Sequence, residues 1–153
     1  VCRGEIHKFR CVPYLTGRRF EHGVTDCYTL FRDAYHLAGI EMPDFHREDD
    51  WWRNGQNLYL DNLEATGFYR VALTEAQPGD VLLCCFGSSV PNHAAIYCGD
   101  GELLHHIPEQ LSKRERYTDK WQRRTHSLWR HRAWRASAFT GIYNDLAAAS
   151  TFV

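Results

Sequence analysis

The chain has 153 residues, of which 44% are hydrophobic and 24% are charged, and its formal net charge is −1. These values are typical of one globular domain and exclude low-complexity disorder. Near-neutral charge excludes a polyelectrolyte that binds nucleic acid through its overall charge. No apolar run reaches the roughly 18–20 residues of a membrane span. The 14% of aromatic residues favours a well-filled core or a surface that holds polymeric ligands.

The amino terminus, VCRGEIHKFRCVPYLTG, has neither an initiating Met nor the apolar stretch of a secretory signal. We therefore expect a fragment or a processed product, from which an upstream domain can be missing.

The six cysteines are even in number, which permits a disulfide framework. The missing export signal and the length of the chain argue against one. So do the adjacent Cys84 and Cys85 in the apolar run VLLCCF, because successive strand side chains point to opposite faces. We interpret most of these thiols as small buried core residues.

Charge is unevenly distributed along the chain. Residues 41–64 contain seven acidic and two basic residues, whereas residues 113–135 contain nine basic and two acidic residues. The basic stretch is either a solvated strand face balanced by the acidic segment or a patch that attracts an anionic partner. No nucleic-acid-binding signature accompanies it, so nucleic acid is not predicted as a partner.

A helix is predicted over residues 27–38, where apolar side chains recur at the i, i+3, i+4, i+7 spacing. Asp26 or Thr25 can cap its start, and Gly39 followed by Pro43 can end it.

Antiparallel strands are predicted after this helix. The turn Gln-Pro-Gly-Asp leads into a buried strand over 81–86, and a hairpin joins strands over 92–98 and 102–106. A last strand is expected within 125–134. Helix first and strands afterwards predict an α+β domain.

Cys27 is the first candidate for chemistry, because it stands at the predicted helix start. Free backbone N–H groups and the helix dipole favour an anion there, and such a position is expected to lower the thiol pKa and to favour the nucleophilic thiolate. The alternative is an inert cysteine that packs inward.

His93 begins the hairpin strand and can serve as the general base that a cysteine nucleophile needs. A third polar group must fix its tautomer, and either His105 or His106 on the returning strand can do so. A three-residue turn over 99–101 sets His105 opposite Ala95, on the face of His93. A two-residue turn would shift the register and present His106 instead. We favour the first.

A zinc site is the competing interpretation, since His and Cys bind zinc. The sequence has neither CxxC nor HxxxH spacing. We predict neither a metal nor another cofactor.

The segments GRRFEHGVTDCYTLFRDAY, QPGDVLL and NHAAIYCGDGELLHH resemble the NlpC/P60 cysteine peptidase family. The resemblance implies a papain-like α+β fold with Cys27 as nucleophile, His93 as base and His105 as the orienting residue. It also implies hydrolysis of peptidoglycan stem peptides at D-glutamyl-diaminopimelate bonds. The oxyanion would be held partly by the backbone N–H of Cys27. We place the domain at 1–135 and a carboxyl-terminal tail at 136–153.

Further segments resemble the tail-assembly members of this family in lambda-like phages. These are DDWWRNGQNLYLDNLEATGFYRV, WQRRTHSLWRHR and AFTGIYNDLAAASTFV. In those proteins the peptidase domain usually follows a JAB-type metallopeptidase-like domain. The implied partners are cell-wall peptides and phage tail-tip proteins. The implied locations are the host cytoplasm during assembly and the virion tail tip, with action at the cell wall.

The sequence departs from the family pattern ahead of the nucleophile. A tyrosine whose hydroxyl helps to hold the oxyanion is common there, and Phe20 in the corresponding stretch has no hydroxyl. One donor is then absent unless His22 or another group substitutes. Phe20, His22 and Asp26 are predicted to lie around the substrate or the oxyanion. Tyr28-Thr29 also replaces the usual Ser-Gly after the cysteine. These changes leave the nucleophile in place and affect the expected rate and substrate.

Trp51 and Trp52 follow the first helix among acidic residues. They are interpreted as core packing or a hydrophobic lid. The alternatives are one wall of a substrate groove or an interface within the tail.

Three functions therefore stand at the level of sequence. The first is a peptidoglycan cysteine peptidase carried by a phage tail. The second is a structural tail-assembly factor with a vestigial or dispensable site. The third is a related acyl-transfer enzyme on the same fold.

Overall fold

The computed structural model describes residues 12, 14–47, 49, 51–54 and 56–139. Three α-helices, two short 3₁₀ helices and six strands have both their bounds within these residues, and residues 136–139 are also helical. In chain order they are α1 (Cys27–Leu37), a 3₁₀ helix (Trp51–Asn54), α2 (Leu58–Ala65), β1 (Phe68–Val71), a 3₁₀ helix (Leu73–Glu75), β2 (Val81–Cys84), β3 (His93–Gly99), β4 (Glu102–His105), β5 (Lys113–Arg116), α3 (Asp119–Gln122) and β6 (Thr125–His131).

The six strands form one antiparallel sheet in the order β1-β6-β2-β3-β4-β5. Helix α1 packs against β3 and β4, so its amino terminus lies beside the strands that carry the predicted histidines. The α+β class predicted from the order of elements is confirmed. Elements α2, β1, β5 and α3 were not predicted.

Helix α1 starts where the sequence indicates, because Asp26 accepts a hydrogen bond from the Thr29 N–H at 3.0 Å. The helix ends at Leu37, one residue before the predicted end, and Ala38 is its C-cap. Gly39 then adopts φ +85°, a left-handed conformation that suits glycine after a helix.

Both faces of the sheet are covered. On β2, Val81 and Leu83 belong to the core that includes α1, whereas Leu82 and Cys84 pack in a second cluster with Trp121 of α3. Because side chains alternate along a strand, covering both faces explains why this segment is apolar without alternation. The side of the sheet that carries Leu82 and Cys84 is called the Trp121 face.

The β3–β4 turn differs from the prediction, but the register near the histidines does not. Gly99 pairs with Glu102, which leaves a two-residue turn with positive φ at Asp100 and Gly101. A register shift between Tyr97 and Gly99 compensates for the shorter turn. Beyond it Ile96 pairs with Leu104, and extending this pairing by one residue sets His105 opposite Ala95. The three-residue turn was therefore wrong, while the choice of His105 over His106 on the face of His93 follows from the bulge.

The described cysteines carry free thiols. Cys84 and Cys98 are buried as expected, whereas Cys27 and Cys85 are half-buried. Cys2 and Cys11 lie outside the described residues.

The described part of the basic stretch contains several ion pairs. Arg114 pairs with Glu102 at 2.7 Å, and Arg130 pairs with Asp80 at 2.8 Å. Neither acid belongs to residues 41–64, so these pairs do not link the basic stretch to the acidic segment.

The domain boundary at residue 135 stays a prediction. Phe139, which follows it, is 4% exposed and packs against Tyr35 with ring centroids 5.0 Å apart. Residues 140–153 and the amino-terminal residues 1–11 lie outside the described residues. Within the described part of the chain, no helix combines the length and the apolar character that crossing a bilayer requires.

Candidate active site

A cavity of about 580 Å³ opens between the amino terminus of α1 and the start of β3. Seven of the eight residues singled out from the sequence line it: Phe20, His22, Asp26, Cys27, Trp51, Trp52 and His93. The eighth, His105, is fully buried and lies next to His93, away from the cavity.

Cys27 is the first residue of α1, so its backbone N–H has no acceptor within the helix. Its side chain is half-buried at the cavity wall. The sulfur lies 2.8 Å from the hydroxyl of Tyr59, a residue of α2. The nucleophile candidate therefore faces the cavity and already has a hydrogen-bond partner.

The expected lowering of the thiol pKa was wrong. Burial and the negative charge of Asp26 raise the Cys27 pKa to about 11, and they outweigh the hydrogen bond from Tyr59. The helix dipole favours the thiolate, but the loss of solvation at this position disfavours it more strongly. At neutral pH the resting residue is a thiol rather than a thiolate.

Two imidazoles and a carboxylate form a chain across β3, β4 and β5. His93 Nε2 lies 3.0 Å from His105 Nδ1, and His105 Nε2 lies 2.9 Å from Glu115 Oε2. Strand alternation places all three side chains on the Trp121 face of the sheet. Only the His93 end of the chain reaches the cavity.

Glu115 fixes the direction of the hydrogen bonds in this chain. Burial acts to raise its pKa, but hydrogen bonds from His105, Trp121 and Lys113 hold that pKa at about 2, so it is a carboxylate that only accepts. His105 must then carry its proton on Nε2 and accept on Nδ1. His93 therefore donates from Nε2, which leaves its Nδ1 as an unprotonated acceptor.

Burial keeps both imidazoles neutral. It lowers the pKa of His93 well below the ordinary value, and the neighbouring His105 adds to this effect. Burial also lowers the pKa of His105, although Glu115 opposes the change. Neutral His93 and neutral Cys27, which both line the cavity, are the protonation states from which general-base catalysis starts.

Trp121 contacts two members of this hydrogen-bonded series, Glu115 and His105. Its indole N–H donates to Glu115 Oε1 at 2.7 Å, and its ring packs edge-on against His105 with centroids 4.4 Å apart. Phe86 lies 5.2 Å from the His93 ring. These contacts restrict the rotamers of both imidazoles.

Asp26 has a structural role at the start of α1. Its carboxylate caps α1 and binds Arg47 through two hydrogen bonds, at 2.9 and 3.1 Å, with both side chains 3% exposed. Burial acts to raise the Asp26 pKa, but the Thr29 N–H and Arg47 outweigh it and the pKa lies below its ordinary value. An ionised carboxylate has no hydrogen to donate to an oxyanion. Asp26 also lines the cavity, and its place near the substrate stays a prediction.

Phe20 and His22 line the cavity from the segment that precedes α1. Phe20 packs edge-on against His106, with ring centroids 5.1 Å apart. His22 Nε2 lies 3.0 Å from the Arg47 carbonyl oxygen. His106 bonds the Gln110 carbonyl oxygen and not His93.

Trp51 and Trp52 combine two of the interpretations given above. Trp51 is 2% exposed and belongs to the core, where its ring packs against Tyr59 at 5.7 Å. Trp52 is half-buried and packs edge-on against Trp51. Both also line the cavity.

Two residues of this site, Tyr59 and Glu115, were missed from the sequence. Glu115 is the single acid in the strand sequence KRER, which is a visible signal. Tyr59 carries no comparable signal, because its contact with Cys27 depends on how α2 packs. Among the described residues, no group of three or more His, Cys, Asp or Glu side chains is arranged to hold a metal ion.

Comparison with known proteins agrees with the fold. Residues 12–130 match the NlpC/P60 family, and the chain belongs to this family. It is 95% identical over all 153 residues to tail tip assembly protein K of Escherichia phage lambda and covers 77% of that protein. It is 32% identical over 123 residues to the tail tip assembly protein K of Escherichia phage N15, of which it spans 49%.

A bacterial relative and two solved structures extend the comparison. A probable endopeptidase of Mycobacterium tuberculosis is 37% identical over 93 residues, which are 61% of this chain and 19% of that protein. An NlpC/P60 protein from Bacillus cereus superposes with a TM-score of 0.52 at 20% identity, over 70% of this chain and 32% of that one. A lipoprotein-like NLP/P60 protein from Staphylococcus aureus superposes with a TM-score of 0.50 at 16% identity, over 80% of this chain and 36% of that one. These structures share the fold.

Proposed function

We propose that this domain is a cysteine peptidase in which Cys27 is the nucleophile, His93 the general base and His105 the orienting residue. One observation carries the proposal: the chain from Glu115 through His105 leaves His93 with a free acceptor nitrogen at the cavity that Cys27 also lines. The probable-endopeptidase relative supports the same reaction class.

In the first half of the reaction the Cys27 thiol proton moves to His93 Nδ1 as the sulfur bonds to the substrate carbonyl carbon. The backbone N–H at the start of α1 donates to the oxygen that becomes negative. When the C–N bond breaks, His93 returns the proton to the departing amine. The imidazolium in between is stabilised by His105 and the Glu115 carboxylate.

In the second half a water molecule attacks the thioester, and His93 accepts its proton. The C–S bond breaks, the acid product leaves and His93 reprotonates the sulfur. Because Cys27 starts as a thiol, proton transfer accompanies each attack and no resting ion pair is needed.

We propose peptidoglycan stem peptides as substrates, cut at the D-glutamyl-diaminopimelate bond. This assignment rests on the family and on the phage relatives, whose names place them in tail tip assembly. The chain would act on the cell wall from the tail tip, with other tail-tip proteins as partners after synthesis in the host cytoplasm. An open cavity with aromatic walls suits an extended peptide.

A structural tail-assembly factor is the second candidate. The raised pKa of Cys27 favours it, because a thiol that is neutral at rest has no unusual reactivity unless His93 assists it. The two candidate functions differ in whether the site turns over a peptide substrate.

Digestion of purified sacculi separates them, with released muropeptides identified by mass. We expect release by the wild type and none by Cys27→Ala. Cys85→Ala is the matched control, because Cys85 is also a half-buried free thiol but does not line the cavity. Equal release by the wild type and by Cys27→Ala would remove the enzymatic function.

A further inference from the structure

The Tyr59 hydroxyl is a buried side-chain donor beside the nucleophile and has no role in the proposed proton transfers. It lies 2.8 Å from Cys27 Sγ and lines the same cavity. Its side chain is 2% exposed, so the hydroxyl points into the site rather than into solvent. A buried hydroxyl aimed at a reactive sulfur invites a role in the chemistry.

The position of this hydroxyl suits an oxyanion donor. Once the sulfur has attacked a carbonyl carbon, the oxygen and the sulfur are bonded to the same carbon atom. A donor that reaches the sulfur before attack is therefore close to the place where the negative oxygen develops. The backbone N–H of Cys27 belongs to the same residue as the sulfur and has no acceptor within the helix, so it can supply a second donor.

The tyrosine is held so that it can donate without rearrangement. Its ring packs against Trp51 at 5.7 Å and Tyr28 at 6.2 Å. Burial, with the neighbouring Cys27, raises the Tyr59 pKa well above the ordinary value, so the O–H keeps its proton at neutral pH. A fixed, protonated donor is what preorganised stabilisation requires.

We propose that Tyr59 is a catalytic residue whose hydroxyl, with the Cys27 backbone N–H, forms the oxyanion hole of this domain. The hydroxyl donates a hydrogen bond and transfers no proton. It supplies from α2 the donor that Phe20 cannot provide, since Phe20 packs against His106 on another part of the wall. This inference rests on the proposed peptidase function.

The test uses Tyr59→Phe and two assays that differ in their need for an oxyanion. Hydrolysis of sacculi passes through an oxyanion, whereas alkylation of Cys27 by iodoacetamide does not. We expect hydrolysis to fall by about 10²–10³-fold. Alkylation, followed by mass spectrometry at Cys27, should change by less than about threefold. Tyr59→Met, which fills the space without a donor, should behave in the same way.

Two tyrosine variants serve as matched controls. Tyr35→Phe removes another buried hydroxyl, one that bonds the Gly79 carbonyl oxygen away from the cavity. Tyr14→Phe removes a hydroxyl from a side chain that is 65% exposed and lies outside the cavity lining. Both should retain hydrolysis, and thermal melting checks that each variant folds.

The outcomes are separable. Unchanged hydrolysis in Tyr59→Phe overturns this inference, as does a parallel loss of hydrolysis and alkylation, which would place Tyr59 on the sulfur alone. Loss of hydrolysis in Tyr14→Phe, with Tyr59→Phe active, also overturns it. Failure of the peptidase function is different, because wild type and Cys27→Ala would then release the same material.

Discussion

The two walls of the cavity are held in different ways. The wall around His93 stands on regular strands, and its polar groups form one directed chain of hydrogen bonds ending at Glu115. The wall around Cys27 combines the start of α1 with the irregular segment before α2. It is held by the buried Asp26–Arg47 pair and by aromatic packing around Tyr59.

This difference divides the work of the site. The wall around His93, here called the strand wall, determines which nitrogen of His93 accepts a proton. Each imidazole tautomer is set by the next group in the hydrogen-bonded series that ends at Glu115. The wall around Cys27, here called the helix wall, determines where the sulfur and the proposed oxyanion donors lie. Changes in the strand wall should therefore alter turnover more than folding, and changes in the helix wall should alter folding as well.

The largest effect is expected at the proton acceptor. Replacing His93 by Gln keeps a donor toward His105 but removes the base, so the rate of sacculus hydrolysis should fall by about 10²–10⁴-fold. His126→Gln is the control, because His126 is exposed on β6 and outside the cavity lining. If His93→Gln kept more than a tenth of the wild-type rate, His93 would not be the base.

Substitutions in the helix wall should act mainly by lowering the stability of the fold. Arg47→Met leaves the Asp26 carboxylate buried without its partner, which should lower the free energy of unfolding by about 3–5 kcal/mol at pH 7. Urea denaturation measures the change. Asp26→Asn/Arg47→Met should recover most of the loss, since Asn still caps a helix and no charge remains buried.

Lowering the pH should reduce the difference in free energy of unfolding between Arg47→Met and the wild type. The Asp26 pKa is depressed in the folded protein, so the stabilisation is present above the ordinary value of 3.8 and is lost as pH falls through the folded pKa. In Arg47→Met the Asp26 carboxylate takes up its proton at a higher pH than in the wild type. A difference that stayed constant from pH 7 to pH 3 would contradict this account of the pair.

A smaller effect is expected at the far end of the strand chain. Glu115→Ala removes the group that fixes the His105 tautomer, and kcat should fall by about 10–10²-fold, the size of effect found for groups that orient a ligand through another residue. Glu115 does not line the cavity, so KM should not change. Glu115→Gln keeps an acceptor and should lose less. A raised KM with an unchanged kcat would mean that Glu115 acts on binding instead.

The sequence predicts the regular half of this site well because periodicity and turn chemistry are local. Residues 26–38 specify a helix and its cap, and alternation on the hairpin strands puts His93 and His105 on one face. Even so, the turn was wrong by one residue, because a bulge near Cys98 compensates for a two-residue loop. A bulge depends on the pairing strand as well as on the sequence of its own strand.

The rest of the site depends on tertiary packing that a pattern does not contain. Tyr59 reaches Cys27 only because α2 folds back against α1, and Arg47 reaches Asp26 across 21 residues. The Cys27 pKa likewise depends on how much water the surrounding side chains exclude. A helix start lowers a thiol pKa only where burial does not outweigh it.

The pH profile should give the smallest effect and the sharpest comparison of the two walls. A histidine base with the ordinary pKa of about 6.5 would lose activity about fourfold between pH 8 and pH 6. Burial places the His93 pKa well below that value, so it remains an acceptor at pH 6 and the rate should change little over this interval. The measurement is the initial rate of sacculus hydrolysis at constant ionic strength. A fourfold fall would mean that the strand wall does not desolvate His93, whereas a flat profile means that the acid limit lies lower, where the imidazole finally takes a proton.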